Sequence, residues 1–186
     1  RFHREGFITP IPVLSEDEVA KYRAQLEAFE AKFPDDRRKL KSKSHLLCPW
    51  VDEMARNDRI LDVYEDLIGP NILCYSMAFR IKEPDGKTFA GWHQDGAYNP
   101  IKPILAIGAL ALSECSVSTG CLNVIPGSHK GGTLPHEDTG DPDSILSRGQ
   151  YITEEFDKSN AVDIELKPGE IGIFYSEIIH GSRVNT

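Results

Sequence analysis

Trp92-His93-Gln94-Asp95 holds the most reactive combination of side chains in the sequence. In an extended segment alternate residues share a face, so His93 and Asp95 point one way while Gln94 points the other. An imidazole and a carboxylate side by side offer two ligands to a divalent metal. A third must come from a distant stretch, and His180 stands near the end of another predicted strand. Two histidines and one carboxylate on one face of a metal leave neighbouring coordination positions open, the arrangement of non-haem Fe(II) oxygenases. Spacing alone leaves the matter open, because His-x-Asp is short and a strand histidine is more often a satisfied polar group. His129 follows the Pro126-Gly127-Ser128 turn and is expected to shape it. His136 sits in the acidic stretch 135–143 and is expected to be solvated.

Such a site needs elements to position it. Residues 15–33 read as a helix: Ser15 and Glu18 form a capping box, and Val19, Tyr22, Leu26, Phe29 and Phe33 recur at steps of three and four. A second helix is predicted from Asn57 as N-cap through Ile60, Leu61, Tyr64, Leu67 and Ile68 to Gly69-Pro70. Beyond Pro70 come short apolar or alternating segments at 72–81, 104–112, 121–125, 162–166 and 171–175. Turn signals such as Pro84-Asp85-Gly86 and Pro168-Gly169-Glu170 separate them. Helices first and many short strands afterwards predict a mainly β fold, an antiparallel sandwich with helices packed on one side. Residues 130–150, rich in Gly, Asp, Ser and Pro, read as a long insertion between strands.

Composition narrows the function classes. The chain has 186 residues, 40% of them hydrophobic, enough for one domain with a real core. Twenty-one Lys+Arg against 29 Asp+Glu give a net charge of −8, which argues against nucleic acid or an anionic membrane as partner. The longest apolar run, 104–112, falls far short of the roughly 20 residues of a membrane helix. Cys48, Cys74, Cys115 and Cys121 form no C-x-x-C pair, and no secretory signal opens the chain, so a reducing, cytoplasmic setting is expected. Arg1 already lies inside an amphipathic pattern, and Thr186 follows directly on the richest motif. Residues 1–186 therefore read as a single domain truncated at its C-terminus.

Three motifs occur in this order: Trp92-His93-Gln94-Asp95, then Gly120-Cys121-Leu122-Asn123-Val124-Ile125-Pro126-Gly127-Ser128-His129-Lys130, then His180-Gly181-Ser182 with Asn185. With Ile81-Lys82-Glu83-Pro84 and Leu146-Ser147-Arg148-Gly149-Gln150, this series resembles the phytanoyl-CoA dioxygenase family of Fe(II)/2-oxoglutarate-dependent oxygenases, from about residue 43 to 186. The Arg148 motif is similar to bacterial small-molecule members. The resemblance implies a double-stranded β-helix, a cupin-like jelly roll with the iron at its mouth. It implies His93, Asp95 and His180 as catalytic metal ligands, with Fe(II), 2-oxoglutarate and O2 as cofactor and co-substrates. Ser182 matches the serine that contacts 2-oxoglutarate, and His45 and Phe79 are candidates to approach it. Tyr98, Arg148 and Gln150 are candidate substrate contacts.

The reaction so implied is hydroxylation of an unactivated C–H bond of a small molecule, with release of succinate and CO2. Related halogenases lack the carboxylate that Asp95 supplies here. The family's arginine for the distal carboxylate of 2-oxoglutarate would lie beyond Thr186, and Arg183, three past His180, should face the other way. Where many relatives have tryptophan, this chain has Ala109. A cupin-like metal enzyme that uses no keto acid, or a non-catalytic binding or sensor domain, are the alternative readings. No pattern in the chain bears on oligomeric state.

Overall fold

The chain folds as two compact units, residues 1–12 with 82–186, and residues 13–81. The structure is a computed structural model and describes residues 1–99, 101–102 and 105–186.

The first unit is built on antiparallel strands after a short helix, α1 (Phe2–Glu5). The strands are β1 (Phe7–Pro12), β2 (Ala90–His93), β3 (Ala106–Leu110), β4 (Leu122–Val124), β5 (His136–Asp138), β6 (Gln150–Ile152), β7 (Val162–Ile164), β8 (Glu170–Tyr175) and β9 (His180–Ser182). They form a three-stranded sheet ordered β1-β8-β3, a four-stranded sheet ordered β2-β9-β4-β7, and the pair β5-β6. Phe7 and Phe174 from the first sheet share a core with Val124 and Ile164 from the second, joined by Ala111, Leu166 and Ile178. The predicted strands at 121–125, 162–166 and 171–175 appear as β4, β7 and β8. The segment 104–112 contains β3, and Ile104 lies outside the described residues. Strand β1 carries no alternation that singles it out, because Pro10 and Pro12 interrupt it. Proline cannot donate to a ladder, and β1 accordingly lies at a sheet edge with β8 as its neighbour. Residues 130–150 are more ordered than an insertion, since β5 pairs with β6 through His136–Ile152, Glu137–Tyr151 and Asp138–Gln150.

The second unit holds α2 (Glu16–Lys32), α3 (Pro49–Ala55) and α4 (Asp58–Ile68). The expected capping box is present: Ser15 Oγ accepts from the Glu18 amide, and the Glu18 carboxylate accepts from the Ser15 amide at 2.7 Å. Asn57 caps α4 by accepting from the Arg59 amide, and Gly69, at φ 88°, ends it. The segment 72–81 is not a strand. Its backbone bonds run to turns, with Ser44 N donating to Met77 O and Phe79 N to Leu40 O. Met77, Phe79 and Ile81 pack on Leu26, Leu40, Cys48 and Val51. The alternation is real, but helices rather than neighbouring strands bury its apolar face. Among the described residues no helix is long and apolar enough to cross a membrane.

Candidate metal centre

The register between β2 and β9 sets His93 directly opposite His180. Their ring centroids lie 4.1 Å apart. His93 is the last residue of β2. Gln94 stays extended at φ −127° and ψ 119°, and Asp95 opens a single 3-10 turn, Asp95–Ala97. The extended step at Gln94 keeps His93 and Asp95 on one side although the strand has ended. Asp95 Oδ1 lies 3.6 Å from His93 Nε2, and Asp95 Oδ2 lies 3.6 Å from His180 Nε2. One ligand atom from each of the three residues falls within 4.8 Å of the others.

Both imidazoles are prepared to bind. His93 Nδ1 donates to Gly91 O at 2.8 Å, and His180 Nδ1 donates to Ile178 O at 3.0 Å. A carbonyl only accepts, so these bonds place the proton on Nδ1 and leave each Nε2 lone pair free for a metal. Burial is the main force on His180, followed by repulsion from His93; together they push its pKa down to about 4. The Phe174 ring, 4.8 Å from His180, forms part of that apolar surrounding. His180 is therefore neutral at physiological pH, the form that ligates. Two neutral imidazoles and one carboxylate fit a ferrous ion in charge and donor type, and the open side of such a set accommodates further ligands.

The depressed pKa has a consequence for the metal-free protein. Between pH 6.5 and about 4 the unfolded chain binds a proton at His180 that the folded chain refuses, so stability rises with pH across that window. Denaturant titrations at pH 7 and pH 4.5 are expected to show a loss of up to roughly 3 kcal/mol from this group. In His180→Gln the loss should shrink by that amount, and an identical loss in both proteins would refute the assignment.

Gln94 points away from the ligand face, and it is fully buried and fully used. Its Nε2 donates to Gly132 O at 2.9 Å and Glu177 O at 2.7 Å, while its Oε1 accepts from Leu134 N at 2.8 Å. The Gln94 amide donates to His136 Nε2, whose ring donates from Nδ1 to Leu134 O. His136 is thus half-buried and structural, with its pKa lowered by burial, and not solvated as its acidic neighbours suggested. The His129 ring is engaged outside its turn, stacked on Tyr175 at 5.0 Å with Nε2 donating to His3 O at 3.2 Å.

The remaining candidates fall into separate groups. Tyr98, Arg148 and Gln150 come together: the Arg148 guanidinium lies over the Tyr98 ring at 4.7 Å, and Gln150 Oε1 accepts from Arg148 N. Arg148 also pairs with Asp138 at 3.3 Å, and the His136 ring meets Tyr98 edge-on at 5.4 Å. Among the described residues the buried Tyr98 hydroxyl has no hydrogen-bond partner. His45 and Phe79 belong to the helical unit, where His45 Nδ1 accepts from Met77 N and Phe79 packs on Trp50 at 5.5 Å. Ser182 Oγ accepts from Ala90 N at 3.1 Å and from Lys82 Nζ at 2.7 Å. Burial pushes the Lys82 ammonium down to about 8. Arg183 is turned to Asp163 on β7. Ala109 pairs with Gly172 and packs against the core shared by the two sheets. A cleft of about 430 Å3 beside β2 is lined by Trp92, Tyr151, Phe156 and Lys158, and by none of the three ligand residues. Donor geometry, rather than cavity size, marks the centre. Lys82 and Gln94 stand inside the sequence motifs, where spacing gives Gln94 a direction but neither residue a partner.

The sequence profile of phytanoyl-CoA dioxygenase (PhyH) matches residues 2–186. The chain belongs to the phytanoyl-CoA dioxygenase family. A "probable phytanoyl-CoA dioxygenase" of Caenorhabditis elegans is 30% identical over 146 residues, covering 74% of this chain and 46% of that protein. A "probable alpha-ketoglutarate-dependent hypophosphite dioxygenase" of Stutzerimonas stutzeri is 29% identical over 145 residues, covering 76% of this chain and 50% of its own length. The chain thus spans about half the length of these relatives. Among solved structures, the apo form of the non-heme monooxygenase ThoJ superimposes with a TM-score of 0.87 at 26% identity, covering 100% of this chain and 70% of that one. EvdO2 from Micromonospora carbonacea var. aurantiaca, complexed with 2-oxoglutarate, gives 0.70 at 25% identity, covering 99% and 82%. The phytanoyl-CoA dioxygenase family uses ferrous iron and 2-oxoglutarate, and the donor set at His93, Asp95 and His180 is of the kind that iron requires.

Proposed function

We propose that this chain is the catalytic part of an Fe(II)- and 2-oxoglutarate-dependent dioxygenase that hydroxylates an unactivated C–H bond of a small molecule, releasing succinate and CO2. The observation that carries the reading is the meeting of His93, Asp95 and His180, with both imidazole Nδ1 protons committed to main-chain carbonyls. The two facing sheets are read as the two halves of a double-stranded β-helix, with the ligands at the end of the β2-β9 pair.

His93, Asp95 and His180 would hold the iron, which when bound supplies the oxidative chemistry that no side chain provides. The chain's own residues do the rest. The Gly91 and Ile178 carbonyls fix the tautomers, Asp95 would offset one of the two charges of the metal, and the Phe174 ring packs beside His180. A carboxylate at position 95 fills the position that halide would need, which favours hydroxylation over halogenation. Tyr98, Arg148 and Gln150, next to the Asp95 turn, form the proposed substrate wall, with the unpartnered Tyr98 hydroxyl as a contact for a polar group.

Full-length protein titrated anaerobically with Fe(II) and then 2-oxoglutarate is expected to develop a weak visible charge-transfer band. A succinate-release screen across small-molecule classes should then reveal turnover with one of them. A metal enzyme that uses no keto acid, or a sensor domain, would give no band, and that result would overturn the proposal.

A further inference from the structure

The cleft beside β2 lies on the side of the β5-β6 ribbon turned away from the proposed substrate wall. Tyr151 alternates with Gln150 along β6, so its side chain leaves the ribbon on the other face. The cleft measures about 430 Å3, a volume typical of small-molecule sites, and the rings of Trp92, Tyr151 and Phe156 line it. Trp92 and Phe156 meet edge to face at 5.9 Å. Main chain sets the floor. A Cβ on Gly91 would lie 3.3 Å from Gln150 O and Tyr151 Cβ, and one on Gly149, at φ 66°, would lie 2.3 Å from Thr139 Oγ1. Walls fixed in this way are in place before a ligand arrives.

Charge then selects the ligand. Among the described lining residues, Asp141, Glu154 and Glu155 stand against a single cation, Lys158. Among the described residues none of these three carboxylates forms an ion pair. The Lys158 ammonium lies instead over the Phe156 ring, 5.0 Å from its centroid. The one cation of the cleft thus rests on a ring face, the contact a guest cation would make. Such a face attracts positive charge but offers no oxygen to an N–H group. A primary ammonium moved there gives up hydration that nothing replaces. An N-methylated ammonium has fewer such bonds to lose, or none, and buries its methyl groups as well.

We propose that this cleft is a second binding site, for a small N-methylated organic cation seated against Trp92, Tyr151 and Phe156, with Asp141, Glu154 and Glu155 supplying the opposing charge. The proposal stands apart from the oxygenase reading and is tested without iron or 2-oxoglutarate.

Metal-free full-length protein is titrated calorimetrically with three probes. The first is choline. The second, 3,3-dimethylbutan-1-ol, has the same shape with carbon in place of the charged nitrogen, and the third, ethanolamine, keeps the charge but lacks the methyl groups. Choline should bind roughly tenfold or more tightly than either. Equal binding of the alcohol would make the cleft an apolar hollow, and equal binding of ethanolamine would leave the carboxylates acting alone. Either result overturns the proposal, as does a failure of choline to bind. Variants then locate the site. Phe156→Leu should weaken choline roughly tenfold, and Lys158→Met should tighten it by removing the resident cation. Lys158 is exposed, so its replacement keeps the test open even where Phe156→Leu folds poorly. Asp95→Asn should leave choline affinity as it is. If neither cleft variant changes the affinity, or if Asp95→Asn abolishes binding, choline sits elsewhere and the proposed site is refuted.

Discussion

His93→Ala and Asp95→Ala are each expected to lose substrate-dependent succinate release by roughly a thousandfold or more, as befits members of a single catalytic unit. The reason lies in the geometry. Asp95 reaches both histidines, with one oxygen 3.6 Å from each Nε2, so its removal leaves two neutral donors and nothing to offset the metal charge. Removing His93 leaves one buried imidazole and a carboxylate whose side chain is about one-third exposed to solvent. Asp95→Asn separates charge from shape, because it keeps the size and one oxygen but loses the anion. Metal titration of each variant should show weakened Fe(II) affinity before any effect on folding. A variant that bound iron normally and turned over at the wild-type rate would remove these residues from the centre.

Gln94→Leu should be nearly as damaging by another route. Leucine resembles glutamine in volume but leaves Gly132 O, Glu177 O and Leu134 N without their side-chain partner. Each stranded buried group costs about 1–3 kcal/mol, so a destabilisation of roughly 3–5 kcal/mol is expected in urea denaturation. The same substitution frees the step between His93 and Asp95, and metal affinity should fall by about tenfold or more, the size of effect seen when outer partners of a metal site are removed. Unchanged stability would mean that water or the backbone replaces the lost bonds.

What could be read in advance was whatever a few neighbouring residues decide. The α2 capping box needs only Ser15 and Glu18, and α4 needs Asn57 and Gly69; both helices begin and end where these residues place them. His93 and Asp95 were visible because two residues of extended chain bring them to one side. Other features depend on partners far away in the chain. The alternation of 72–81 is the same whether a strand or a set of helices covers it, and here helices do. His136 looked solvated because its neighbours are acidic, yet the amide of Gln94, 42 residues earlier, holds its ring. Lys82 resembles any surface lysine until Gly120 and Arg183 close around it.

The two imidazoles are each aimed by a carbonyl two residues earlier in the same chain segment, Gly91 for His93 and Ile178 for His180. Neither anchor is a side chain. Mutation at positions 91 and 178 alters what protrudes from the backbone but does not delete the acceptor, although a Cβ at 91 would press on Gln150 O and Tyr151 Cβ at 3.3 Å. A centre aimed this way leaves the residues around the reacting molecule free to diverge, and one iron chemistry can be passed among many substrates without being rebuilt each time.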